Sequence, residues 1–123
     1  MRVIGLVPSR LNSTRLPSKA LLMIDGLPLV VHTMKRAQLA ESLDEVYVCT
    51  DSEKIAEAVQ KHDGKYIMTR VDHINGTERI AEAAKNIEAD FFVDIQGDEP
   101  LLDPNHIDDF SDLNFAENKL KKV

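Results

Sequence analysis

Residues 3–19 read VIGLVPSRLNSTRLPSK: an apolar, β-branched run from Val3 to Val7, closed by Pro8 and followed at once by a polar loop with Arg10, Arg15 and Lys19. A short apolar run bounded by a turn residue is what a strand buried on both faces requires, and such strands belong to parallel sheets. The basic loop then falls at the strand's carboxyl end, the edge where open α/β sheets bind ligands. Three cations so close together suit a phosphate, although a solvated polar loop would show the same residues. Neither GxxxxGK followed by Ser or Thr nor GxGxxG is present. Cationic side chains as well as backbone amides are therefore expected to hold the anion, which argues against a P-loop ATPase or a dinucleotide-binding dehydrogenase.

Working outward, further strand-like runs occur at Glu45–Cys49, Tyr66–Met68 and Phe91–Ile95, with helical patterns between successive runs. That alternation predicts a parallel α/β sheet. The first helix is expected from near Pro28, after the Asp25-Gly26 turn, to about Ala40. The second spans roughly Ser52–His62, with Asp51 as N-cap, Ile55, Ala58, Val59 and His62 on one face, and Gly64 as terminator. The third starts with Thr77 as N-cap and repeats Ile80, Ala83, Ala84 and Ile87. Residues 105–123 give a weaker helical signal from Ile107, Phe110, Leu113 and Phe115, with a basic end of Lys119, Lys121 and Lys122. Four parallel strands followed by one helix suggest an incomplete domain: a fragment, or a chain completed by a partner.

The chain has 123 residues, 43% of them hydrophobic and 29% charged, which fits one domain with a real core. Its net charge of −6, from 15 basic and 21 acidic residues, argues against nucleic-acid binding through a broad basic surface. Cys49, the single cysteine, lies in an apolar run and reads as a buried small hydrophobe. No disulfide within the chain and no Cys-His metal pattern is available. Neither a signal segment nor an apolar run of membrane-spanning length is seen, so a cytoplasmic location without membrane association is expected.

Three polar clusters follow strands, as the basic loop does: Thr50-Asp51; Thr69 to His73 with Asn75 to Arg79; and Gln96-Gly97-Asp98-Glu99-Pro100. All should share the carboxyl edge of the sheet. A carboxylate at Asp98 facing a phosphate-binding loop makes sense with Mg²⁺ between them, since that ion is commonly held by one or two carboxylates plus substrate phosphates. A turn cap ahead of Pro100 is the alternative for Asp98. Arg70 has a possible partner in Asp72, and His73 suits a structural hydrogen bond. His32, His62 and His106 read as surface or helix-end residues.

The strings PSRLNSTRLPSKAL, DGLPLVVHTMKRA, TD at 50–51, TRVDHINGTERIAEA and VDIQGDEPLL resemble, in order and spacing, the N-terminal half of the 3-deoxy-manno-octulosonate (Kdo) cytidylyltransferases. The resemblance covers about residues 1–107. It implies a three-layer α/β fold with a mostly parallel sheet, of the nucleotide-diphospho-sugar transferase (Rossmann-like) type and incomplete in this chain. Residues 1–123 would be the CTP-binding N-terminal part of a single cytidylyltransferase domain. The implied reaction is Mg²⁺-dependent transfer of CMP from CTP to an acidic 3-deoxy sugar, with release of pyrophosphate, in lipopolysaccharide precursor synthesis. Arg10, Ser13, Arg15 and Lys19 would cradle the triphosphate, with Lys19 stabilising charge on the α-phosphate or the leaving pyrophosphate. Arg70, Asp72 and Gln96 would line the nucleotide and sugar pocket, and Asp98 would hold Mg²⁺.

Two departures stand out. The family loop usually reads LPGKPL, whereas Ser18 and Ala20 replace its glycine and proline here. The family enzymes are also about twice as long, and their second half supplies a further metal-binding aspartate, most of the sugar-acid site and the contacts of a homodimer. This chain alone is thus expected to be catalytically incomplete. The other readings are a cytidylyltransferase for a sialic- or legionaminic-type acid, and a non-catalytic nucleotide-binding fragment.

Overall fold

The computed structural model describes residues 2–10, 19–70, 76–95 and 120–122. Strand β1 (Val3–Ser9) leads through a 3₁₀ turn at Lys19–Leu21 to a small hairpin of β2 (Met23–Ile24) and β3 (Leu27–Pro28). Helix α1 (Leu29–Gln38), β4 (Glu45–Thr50), α2 (Glu53–Lys61), β5 (Lys65–Met68), α3 (Gly76–Ala84), β6 (Phe91–Asp94) and β7 (Leu120–Lys122) follow. The main sheet has the order β5-β4-β1-β6-β7 and every pairing in it is parallel.

Alternation along the central strands divides the core in two. Val3, Val7, Val46, Val48, Val93 and Ile95 pack on one face, with Val30, Met34, Ile55 and Val59 from α1 and α2. Ile4, Leu6, Cys49 and Phe92 pack on the other, against Ile80 and Ala83 of α3. Fully burying one such aliphatic side chain stabilises the fold by roughly 1.5–3 kcal/mol. Gly5 sits in the middle of β1 because a Cβ there would meet Leu43 Cδ1 at 2.9 Å and Ile95 Cδ1 at 3.0 Å. From β1 the chain steps outward to β4 and β5 over one face, then returns over the other to β6. Crossovers of one hand require that change of face when the direction reverses. The reversal leaves a crevice at the carboxyl ends of β1 and β6.

At the opposite edge, two aspartates fasten the start of β1. Val3 N donates to Asp44 Oδ2 and Arg2 N to Asp90 Oδ2, both at 2.7 Å. Nearby, Glu45 accepts from Lys65 Nζ at 3.0 Å and from the Tyr47 hydroxyl. The Tyr47 and Lys65 hydrogen bonds hold the Glu45 carboxyl below its ordinary range, and the Glu45 bond raises the Tyr47 phenol.

Several expected boundaries change. The N-cap of α2 is Ser52, whose Oγ accepts from Ile55 N at 3.3 Å, and not Asp51. Gly64 is not the left-handed residue that ends α2. Asp63 takes that conformation, with φ 63°, while Gly64 N donates to Val59 O at 2.9 Å. Gly64 is instead required by space, since a Cβ would lie 2.2 Å from Met34 Sδ. Helix α3 begins at Gly76, so Thr77 lies within its first turn rather than capping it. Residues 120–122, expected to end a helix, form β7 beside β6. The helical periodicity stops at Phe115, and the β6 edge offers these residues backbone partners; 105–119 lie outside the described residues. The β2–β3 hairpin was not expected as strands: Asp25 and Gly26 turn it with φ 48° and 84°, the type I′ geometry of a two-residue loop. His32 Nε2 donates to the Ile24 carbonyl and ties α1 to the hairpin. No helix among the described residues is long and apolar enough to cross a membrane.

Candidate nucleotide-binding edge

The parallel register aligns the strand exits. Ser9 pairs with Thr50, and Thr50 with Met68, so Arg10, Asp51 and Thr69-Arg70 leave the sheet side by side. On the far side of β1, Ile95 N donates to Leu6 O at 2.9 Å and brings the β6 exit to the same edge. The exits of β1 and β5 flank that of β4, so they are roughly 10 Å apart at two strand spacings. Arg10 and Arg70 have exposed side chains, and Lys19 is half-buried in its 3₁₀ turn. Ala20 anchors that turn by packing into the core under α1 and α2 at 7% exposure. Leu29 N donates to Leu22 O at 2.8 Å, fastening the turn's far end to the start of α1.

Between Arg10 and Arg70 lies a buried ion pair that the sequence reading did not assign. Arg79 of α3 is 3% exposed. Its Nη2 donates to Asp51 Oδ2 at 3.2 Å, and its Nη1 donates to Thr69 Oγ1 at 2.6 Å and to Arg70 O at 3.1 Å. One planar guanidinium therefore joins the exits of β4 and β5, a use for which its fixed fork of donors suits arginine better than lysine. The Asp51 carboxylate balances this charge. Arg10 and Arg70 leave the sheet on either side of this bridge. Signals for Arg79 were present in TER at 77–79 and in TD at 50–51, read as a helix cap and a polar strand exit, but only the fold brings these segments together.

Cys49, directly below, is fully buried, and burial pushes its thiol up to about 12, which makes it a packing residue and not a nucleophile. Of the expected site residues, the structure brings Arg10 and Arg70 to the carboxyl edge, and Lys19 opens the 3₁₀ turn that leads to the hairpin and α1. Ser13, Arg15, Asp72, Gln96 and Asp98 lie outside the described residues, as do His73 and His106. No group of three or more acidic, histidine or cysteine side chains suited to a metal ion occurs among the described residues. A hollow lined by Gln38, Asp44, Glu45, Asp63 and Lys65 lies at the opposite, amino edge and has no part in this arrangement.

Comparison with known proteins gives this edge a context. The 3-deoxy-manno-octulosonate cytidylyltransferase of Chlorobium limicola is 48% identical over 118 residues, covering 96% of this chain and 48% of the relative. That of Escherichia coli is 41% identical over 107 residues, covering 87% and 44% respectively. A solved CMP:2-keto-3-deoxy-manno-octonic acid synthetase complexed with CTP superposes with a TM-score of 0.91 at 38% identity, over 95% of this chain and 48% of that one. The chain thus spans about half the length of the curated relatives it matches. A sequence family described as cytidylyltransferase matches residues 4–120, from the first core strand to the outermost one. A match that takes in β4, β5 and β6 whole and nearly all of β1 leaves one conclusion: the chain belongs to the cytidylyltransferase family.

Proposed function

We propose that this chain forms the CTP-binding part of an enzyme that transfers CMP from CTP to 3-deoxy-manno-octulosonate. The observation that supports it most is the emergence of Arg10 and Arg70 at one sheet edge, in a fold superposing on a synthetase complexed with CTP. In the proposed reaction the anomeric hydroxyl of the sugar acid attacks the α-phosphorus. A new P–O bond forms as the bond from the α-phosphorus to the oxygen bridging it to the β-phosphate breaks, pyrophosphate leaves with that electron pair, and the hydroxyl proton passes to solvent. Such transfers depend chiefly on positioning and charge neutralisation. Arg10, Ser13, Arg15 and Lys19 hold the triphosphate, Lys19 opposes the charge that builds during transfer, and Arg70, Asp72 and Gln96 line the nucleotide and sugar pocket.

Mg²⁺ is part of the proposal, with Asp98 as its protein ligand. The donor chemistry fits, since Mg²⁺ favours carboxylate and phosphate oxygens. Chain length fits as well: Asp98 lies three residues beyond Ile95 at the edge, a reach of at most about 11 Å. When bound, the ion supplies neutralisation of phosphate charge. Cytoplasmic location, assembly of the full chain as a homodimer and a role in lipopolysaccharide precursor synthesis follow from the same resemblance.

The test is pyrophosphate release by the full chain with CTP, Mg²⁺ and Kdo, with the nucleotide sugar identified by mass spectrometry. Release with a sialic- or legionaminic-type acid and none with Kdo would transfer the assignment to that substrate. Binding of CTP without turnover on any sugar acid would reduce it to a nucleotide-binding role.

A further inference from the structure

Arg70 is held in an uncommon way. Its amide donates to Glu82 Oε1 at 3.1 Å, and its carbonyl accepts from Arg79 Nη1 at 3.1 Å. Both main-chain polar groups of one strand-exit residue are thus bound by side chains of a single helix. Arg79 and Glu82 are three residues apart on α3, the spacing that puts two side chains on one helical face. The same guanidinium also bonds Thr69 Oγ1 at 2.6 Å and Asp51 Oδ2 at 3.2 Å, so it is itself fixed by the exits of β4 and β5. Past Met68 the sheet ladder holds Thr69 through Thr69 N to Thr50 O at 2.8 Å, and at Arg70 the α3 side chains take over. The Arg70 side chain itself is exposed.

We propose that Arg79 and Glu82 are positioning residues: they fix the Arg70 main chain so that its guanidinium meets the nucleotide without first having to be ordered. This rests on the reading above that Arg70 contacts the nucleotide. An arginine on an unrestrained loop loses backbone and rotamer freedom when it binds, and that loss weakens binding. Holding both sides of its peptide from a packed helix removes the backbone share of that loss in advance. α3 is well placed for this because Ile80 and Ala83, which flank the two gripping residues, are fully buried against β1 and β6.

The test is a double-mutant cycle in the full chain, with CTP affinity measured by titration calorimetry in the presence of Mg²⁺ and urea stability measured for each variant. Glu82 is half-buried at the helix surface, so Glu82→Ala spares the core. Arg70→Ala and Glu82→Ala should each weaken CTP binding about tenfold, the scale of one hydrogen bond to a charged group. The double variant should bind no more weakly than Arg70→Ala alone. Glu82→Gln, which keeps an oxygen to accept from the Arg70 amide, should restore most of the affinity, and Arg79→Lys, which keeps the charge beside Asp51 but loses the planar fork, should not match wild type.

A double variant weakened by the product of the two single effects, about a hundredfold, would show that Glu82 acts independently of Arg70 and overturn the proposal. So would unchanged CTP binding by Glu82→Ala alongside weakened binding by Arg70→Ala, which leaves the nucleotide role of Arg70 standing. Unchanged binding by Arg70→Ala removes that role itself, and the purpose of the grip with it.

Discussion

Replacing Asp51 with asparagine keeps the shape of the side chain and removes one negative charge from beside a guanidinium whose side chain is 3% exposed. Breaking a buried ion pair from one side costs about 3–5 kcal/mol, because the remaining charge stays buried without compensation. Two features place this case at the lower end. The Asp51 side chain is 15% exposed, so some solvent reaches the pair. Arg79 also keeps its bonds to Thr69 Oγ1 and Arg70 O. The expected loss is about 3 kcal/mol, which at an m-value of about 2 kcal/mol/M moves the urea midpoint down by about 1.5 M. Ser52→Ala serves as the comparison, because Ser52 and not Asp51 caps α2, and loss of a cap costs about 1 kcal/mol. If Asp51 were the cap, asparagine would replace it almost without loss, since the two cap about equally well. An Asp51→Asn loss under about 1 kcal/mol, the range of an exposed ion pair, would refute the buried bridge as the element joining β4 and β5.

Gly64→Ala is expected to destabilise by about 1–3 kcal/mol in thermal unfolding, as overpacking does, because the new methyl meets Met34 Sδ at 2.2 Å and Val59 Cγ1 at 2.7 Å. Cys49 should resist a thiol reagent in the folded state and react on unfolding. Burial raises its pKa from 9.0 to about 12, so its stabilising contribution is complete below pH 9 and is lost as pH rises from there through 12, visible as a falling urea midpoint. Lys19→Ala in the full chain should lower kcat by roughly 10²–10³-fold with a smaller effect on CTP affinity, as for other groups that bind developing charge. A change confined to KM would make Lys19 a ground-state anchor.

The layered fold was legible because β-branched runs alternated with helical spacing, a signal that survives small boundary errors. Val3–Val7 and Glu45–Cys49 became β1 and β4 with one or two residues added. The errors fell where a local rule had two solutions or a distant partner decided. Asp51 and Ser52 both make good caps. The choice between them came from Arg79, 28 residues further on. Gly64 looked like a terminator because glycine favours left-handed backbone, yet its neighbour Asp63 adopts it and the glycine makes room for Met34 of another helix. Of the candidate site, Arg10, Lys19 and Arg70 could be read from their positions after strands. Arg79 could not, since TER at 77–79 and TD at 50–51 lie far apart in the chain and meet only when α3 packs under the exits of β4 and β5.

The position of β1 also bears on biosynthesis. It comes first in chain order among the described strands, yet it lies at the middle of the sheet. One of its sides waits for β4, and the other for β6, whose Phe91 pairs with Val3 and whose preceding Asp90 bonds Arg2 across 88 residues. Closing so long a loop is slow. Until residues 91–94 emerge, the described strands open to the nascent sheet are β1, β4 and β5, with β1, the later middle strand, as an open edge. Such an edge invites pairing with other chains. Translation pauses upstream of residue 91 should therefore burden chaperones more than pauses after it.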